Sequence, residues 1–179
     1  MIKIKYFVHG ATADNIAHCS TGWKDLPLIE RGIAESKATL DGIRNEQFDL
    51  VVCSDLLRAK QSAEVVFGNR FPIVYDARIR ECNYGDLNGA PSSSVVYDEH
   101  IKTPFPNGEA LVDVEKRVYK LLVELNKKYP GKKIAFMAHR APQLALEKII
   151  NHKTWKQAIQ EDWRKTKSWQ PGWEYEFDE

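Results

Sequence analysis

Apolar and polar positions alternate from Ile2 to Val8 with the period of a β-strand, and the alternation stops at His9-Gly10. Ala11 to Pro27 is a polar loop containing Gly and Asp, placed directly after the first strand, where α/β proteins carry their chemistry. Ile33, Leu40 and Ile43, with the small Ser36 between them, predict one face of a helix over Gly32 to Ile43. Phe48 to Cys53 is a short apolar run of the kind a buried strand shows. Leu56 to Phe67 then has helical spacing, and Pro72 to Tyr75 predicts a short strand.

Between Arg80 and Pro106 no period holds. Glycines, prolines and three serines predict an irregular insertion able to cover a site. The clearest helix follows, with Asn107 as its expected cap and Pro130-Gly131 as its stop. Leu111, Val114, Val118, Leu121, Leu122, Leu125 and Tyr129 form its apolar stripe. Lys133 to Ala138 predicts a strand that delivers His139, and Pro142 is expected as the first residue of a helix through Leu144 to Ile150. Trp173, Tyr175 and Phe177 alternate in the tail, Trp169 to Phe177, as a last strand would. Strands alternating with helices predict an α/β fold, a three-layer sandwich whose central, mostly parallel sheet has helices on both faces.

The chain has 179 residues, the size of one domain spanning 1–179, so one active site is expected. Net charge is +1 with both signs interspersed, which argues against nucleic acid as a partner. No run approaches the roughly 18 to 20 apolar residues of a membrane span. The first residues also lack the apolar block of a signal peptide, so a cytoplasmic protein with no membrane partner is expected. Cys19, Cys53 and Cys82 form no CxxC pair and are expected as reduced thiols.

His9 and His139 lie about 130 positions apart, yet each falls directly after a predicted strand. If those strands are parallel neighbours, both imidazoles emerge at the carboxyl edge of the sheet, where ligands bind. Either histidine alone is more often structural; the pair is what points to chemistry. Thr12 and Asn15 offer side-chain donors near His9, and Gly10 allows close approach to an anion. The helix expected after His139 presents unpaired amides that favour negative charge. Arg58 lies early in a helix that follows a strand, and Glu81 stands beside the irregular insertion; each taken singly is ordinarily a surface residue.

Taken together, these segments resemble the histidine phosphatase superfamily, which includes cofactor-dependent phosphoglycerate mutases and fructose-2,6-bisphosphatase. The similarity runs through His9 to Asn15, Gly22 to Leu28, Ser54 to Glu64, Ile79 to Gly89, Pro106 to Glu109 and Met137 to His139, in the family's order. The resemblance implies a phosphoryl group held between two histidines. His9 would be the nucleophile that becomes a phosphohistidine, and Glu81 the proton donor. Arg58 and His139 would stabilise the equatorial oxygens, aided by Asn15 and the Gly22 amide. No metal or other cofactor is implied, and the five histidines and three cysteines show no zinc-like spacing.

Two positions depart from the family pattern. Val8 stands where an arginine ordinarily precedes the first histidine, and Arg140 where a glycine ordinarily follows the second. A lost charge-assisted bond would slow the chemistry by about ten- to a hundredfold. Arg140 either enters the phosphate site to compensate, or points to solvent or pairs with a carboxylate. Trp155, Trp163, Trp169 and Trp173, near Arg164, Lys165 and Lys167, are expected to pack on the core rather than to bind ligand, and Trp23 is expected to line the pocket.

The leading expectation is a phosphomonoesterase acting on a small phosphorylated metabolite. A phosphoglycerate mutase-like transferase is the second; the chain is shorter than those mutases, leaving less room for a lid that excludes water. The third is a phospho-ligand-binding protein that has lost turnover, for which Val8 is the main support and the retained proton donor the main objection. The substrate and the oligomeric state have no signature in the sequence.

Overall fold

The computed structural model describes residues 1–168 and 170–179; Trp169, expected in the tail packing, lies outside the described residues. The chain begins with β1 (Ile2–Val8), a one-turn helix α1 (Ala13–Ile16), a two-residue strand β2 (Cys19–Ser20) and α2 (Glu30–Gly42). β3 (Leu50–Cys53), α3 (Leu57–Phe67), β4 (Ile73–Tyr75) and the two-residue β5 (Ala90–Pro91) follow. The second half consists of α4 (Leu111–Lys128), β6 (Lys133–Ala138), α5 (Arg140–Ile149), α6 (Trp155–Gln160), α7 (Trp163–Thr166) and β7 (Trp173–Phe177).

The main sheet has the order β4-β3-β6-β1-β7, parallel except for β7. Its two faces carry separate apolar clusters. Ile2, Ile4, Tyr6, Ile134 and Phe136 meet α4, α5 and α6 on one side, and Phe7, Val51 and Met137 meet α3 on the other. The strand alternation causes this split, because successive side chains point to opposite faces. On the α3 side Phe7, Phe48 and Phe67 pack edge to face, with ring centroids 5.6–6.2 Å apart.

Local expectations changed in three places. The buried face of α2 is Gly32 and Ser36, whereas Ile33 is exposed, because the chain at Gly10 and Ala11 packs directly onto the Gly32 backbone. Only a glycine permits this: a Cβ on Gly10 would lie 2.2 Å from the Gly32 carbonyl oxygen. Asn107 does not cap α4; at φ 55° it bonds Asp86, and Asp113 instead accepts the Ala110 amide at 3.1 Å. α5 opens at Arg140, two residues before Pro142, because the Glu81 carboxylate accepts the amides of Arg140 and Ala141.

The long loop and the irregular insertion are joined. β2 pairs antiparallel with β5, and the insertion buries Tyr84, Val95, Tyr97 and Phe105 beneath itself. The Tyr84 and Tyr97 hydroxyls bond at 2.6 Å. A segment without periodicity in sequence thus acquires a core of its own and forms one wall of the cleft described next.

Candidate active site

β1 and β6 are adjacent and parallel, with Val8 opposite Ala138, so His9 and His139 leave the same edge of the sheet. The His9 amide donates to the Ala138 carbonyl at 3.2 Å, and the two imidazole centroids lie 5.0 Å apart at 58°. Residues about 130 positions apart in sequence therefore form one pair.

Hydrogen bonds orient each ring. His9 Nδ1 donates to the Gly10 carbonyl at 2.7 Å, which leaves Nε2 as the unprotonated nitrogen, and Arg58 Nε donates to it at 3.2 Å. Burial, with the Arg58 cation beside it, pushes the His9 pKa down to about 3. His139 is fully buried: its Nε2 meets Ser54 Oγ at 2.8 Å, while Nδ1 has no partner among the described residues. Its pKa is also driven well below the ordinary histidine value, by burial first and then by Arg58. Tyr6 fixes the backbone here, its hydroxyl donating to the His139 carbonyl at 2.7 Å.

Arg58 is 1% exposed, so its charge needs partners. It donates to the Lys24 carbonyl at 3.0 Å and the Gly22 carbonyl at 2.8 Å as well as to His9. Ser62 ties this corner together, accepting the Gly10 amide at 3.0 Å and donating to the Arg58 carbonyl at 2.9 Å. Gly22 has φ +56°, and a Cβ there would strike Asn88 Oδ1 at 1.9 Å, so glycine is required where the loop turns toward Arg58.

Glu81 faces the histidines from the insertion. Its Oε1 accepts the amides of Cys82 and Ala141 at 2.9 Å, and its Oε2 accepts the Arg140 amide at 3.1 Å. Arg117 holds the backbone behind it, donating to the Glu81 carbonyl at 2.9 Å and pairing with Glu109. Trp23 does not line the cleft as expected; its indole donates to the Glu81 carbonyl at 2.7 Å and stacks under Arg80.

The remaining expected residues are distributed around this centre. Asn15 lines the cleft. Thr12 is fully buried one step behind it, donating its amide and hydroxyl to Asn15 Oδ1 at 2.8 and 3.0 Å, so Thr12 positions Asn15 rather than facing a ligand. Arg140 borders the cleft, but its Nε pairs with Asp162 at 2.6 Å and its guanidinium lies over Tyr97, which is the carboxylate-paired course. His9, Arg58, Glu81, Asn15, Gly22 and Arg140 share one cleft of about 380 Å³.

Sequence reasoning missed Ser54, Ser62, Arg117 and the pair Asp162 and Arg164. The two serines lie in the Ser54 to Glu64 segment, where nothing in the sequence distinguishes them. Arg164 was visible only as one of several basic residues among tryptophans. No helix among the described residues is long and apolar enough to cross a membrane.

Comparison with known proteins gives the family and the fold. The sequence model of the histidine phosphatase superfamily (branch 1) matches residues 7–164. An uncharacterized phosphatase, PhoE, of Bacillus subtilis is 33% identical over 143 residues, covering 77% of this chain and 72% of its own. A 2,3-bisphosphoglycerate-dependent phosphoglycerate mutase of Methylobacterium radiotolerans is 28% identical over 161 residues, covering 80% and 76%. Among solved structures, a mycobacterial glucosyl-3-phosphoglycerate phosphatase superposes with a TM-score of 0.76 at 25% identity, covering 87% of this chain and 82% of that one. The alpha-ribazole phosphatase of Shigella flexneri, at 22% identity and a TM-score of 0.77 over 88% and 83% of the chains, shares the fold.

Proposed function

Because the chain belongs to the histidine phosphatase superfamily, we propose that it hydrolyses a small phosphorylated metabolite through a phosphohistidine at His9. The observation that carries this reading is the paired imidazoles 5.0 Å apart, one of them presenting an unprotonated Nε2.

In the first step His9 Nε2 attacks phosphorus, the phosphorus–oxygen ester bond breaks, and its electron pair leaves with the substrate oxygen. Glu81 protonates that oxygen. In the second step water attacks phosphorus, Glu81 accepts the proton from the water, and the phosphorus–nitrogen bond breaks, with its electron pair returning to Nε2. Splitting one displacement into two lets the same pair of groups serve both halves.

Charge on the equatorial oxygens is met by Arg58, by His139 and by Asn15. Arg58 occupies His9 Nε2 in the free protein, so substrate binding exchanges that bond for one to a phosphoryl oxygen and frees the nucleophile. The unpartnered Nδ1 of buried His139 gains a partner in the same event. Positioning and electrostatics supply most of the acceleration in such transfers.

The relatedness to a phosphoglycerate mutase supports a second reading, in which a second hydroxyl rather than water accepts the phosphoryl group. Assay of a panel of phosphorylated metabolites with wild type and His9→Ala tests both. Inorganic phosphate released by the wild type alone supports the phosphatase. Isomerised substrate without net release supports the mutase. Equal, background-level turnover by both proteins rejects catalysis and leaves a phospho-ligand binder.

A further inference from the structure

Asp162 is a carboxylate with two cations. Its side chain is 0% exposed, its Oδ2 accepts from Arg140 Nε at 2.6 Å, and its Oδ1 accepts from the Arg164 amide at 3.1 Å and Arg164 NH1 at 3.0 Å. Each guanidinium also rests on a ring, Arg140 at 4.4 Å from the Tyr97 centroid and Arg164 at 4.3 Å from that of Trp163. A buried carboxylate requires a cation, but one suffices for charge balance. The second leaves a net positive charge on the cleft wall, with guanidinium N–H groups that have no partner among the described residues.

Both arginines border the cleft that holds His9. They are not equivalent. The bond from Asp162 to Arg140 is the shorter, at 2.6 Å against 3.0 Å to Arg164. Trp163, which carries Arg164 on its face, borders this cleft and the compartment adjoining it, in both cases together with Val8 and His9. Trp163 is itself fixed by stacking on Trp173, with centroids 5.3 Å apart, and by an indole bond to Gln143. The field of Arg164 also contributes to holding both His9 and His139 below the ordinary histidine range.

We propose that Arg164 is a substrate-binding guanidinium of this cleft, taking a tetrahedral oxyanion together with Arg58, and that Asp162 is the residue that positions it. With the phosphatase reading, on which the identity of this anion rests, two guanidinia face a phosphomonoester dianion and match its charge. Preorganisation matters here, because an arginine already held by a carboxylate and a ring loses little freedom on binding.

The test is calorimetric titration of orthovanadate and inorganic phosphate into wild type, Arg164→Gln, Arg164→Lys, Asp162→Asn and Lys165→Gln. Lys165 is exposed on the same short helix, so its variant removes an equal charge outside the cleft. Arg164→Gln is expected to weaken Kd by about tenfold or more, as for loss of one charge-assisted bond. Arg164→Lys and Asp162→Asn are expected to lose at least about threefold, and Lys165→Gln less than about twofold, on the same scale. Wild-type affinity in folded Arg164→Gln and Arg164→Lys, or an equal loss in Lys165→Gln, would overturn the proposal. Anion binding is read without turnover, so absence of His9-dependent hydrolysis defeats the phosphatase reading while the titration still judges Arg164.

Discussion

Arg58 donates its Nε hydrogen to His9 Nε2 at 3.2 Å, so the same contact stabilises the neutral imidazole and occupies the atom proposed to attack phosphorus. A cation bonded to a lone pair opposes protonation of that lone pair. The His9 pKa of about 3 follows from burial together with this neighbour.

The first consequence is kinetic. Since kcat/KM reports the free enzyme, its acid limb is not set by a histidine titrating near 6.5. Activity corrected for substrate ionisation is expected to hold from pH 7 down to about 5. A clean one-proton loss of kcat/KM near pH 6.5 in a rate profile would contradict the assigned state of His9.

Stability depends on pH through the same shift. The unfolded histidines bind protons as pH falls through about 6.5, whereas His9 does not until about 3 and buried His139 also resists. Between those values the unfolded state holds more protons, so stability is full above about 6.5 and is lost as pH falls toward 3. Urea unfolding at pH 7 and pH 5 should show the drop, and His139→Asn should make the difference between the two pH values smaller. An unchanged difference would count against a buried neutral His139.

Arg58→Gln should cost both affinity and stability, because the side chain also binds the Gly22 and Lys24 carbonyls. At about 1.5–3 kcal/mol for a charged hydrogen bond, vanadate affinity should fall by roughly tenfold to a hundredfold. Thermal unfolding should also occur at lower temperature. Vanadate affinity within twofold of wild type would remove Arg58 from the phosphoryl site.

Much of this arrangement is legible in the sequence because period and motif carry it. Strand alternation at Ile2 to Val8 and the apolar run before Ser54 place His9 and the start of α3 at one sheet edge, and Met137-Ala138-His139 does the same for the second ring. The α4 stripe is buried at Leu111, Val114, Val118, Leu121, Leu122 and Leu125, as its spacing requires. What is not legible depends on tertiary contact. Asn107 has the chemistry of a cap, but its side-chain amide donates to the Asp86 carboxylate and its backbone turns at φ 55°. The role of Asp162 exists only because two arginines 24 positions apart, Arg140 and Arg164, meet on it. The insertion lacks any period because its order comes from Tyr84, Tyr97 and Phe105 packing on one another.

Glu81→Gln keeps one amide-accepting oxygen but removes the transferable proton. With alkyl phosphates, whose leaving oxygens need protonation, kcat should fall by about 10²- to 10⁴-fold, while KM changes little. With p-nitrophenyl phosphate the loss should be much smaller. Equal losses on both substrate classes would point to misplaced α5 rather than to a missing acid.

Gly10→Ala tests the close approach of the first loop to α2. The added Cβ would meet the Gly32 carbonyl oxygen, so about 1–3 kcal/mol of stability should be lost and the His9 backbone displaced. A variant as stable and as active as wild type would show that the two backbones can separate at no cost.

The proposed mechanism requires a phosphorus–nitrogen bond on His9. Rapid quenching of the enzyme during turnover of a phosphorus-labelled substrate, followed by peptide mapping, reads it directly. An acid-labile, alkali-stable phosphopeptide containing His9 is expected to appear before inorganic phosphate and to be absent from His9→Asn. Turnover with no phosphopeptide at His9, or undiminished turnover by His9→Asn, would contradict it.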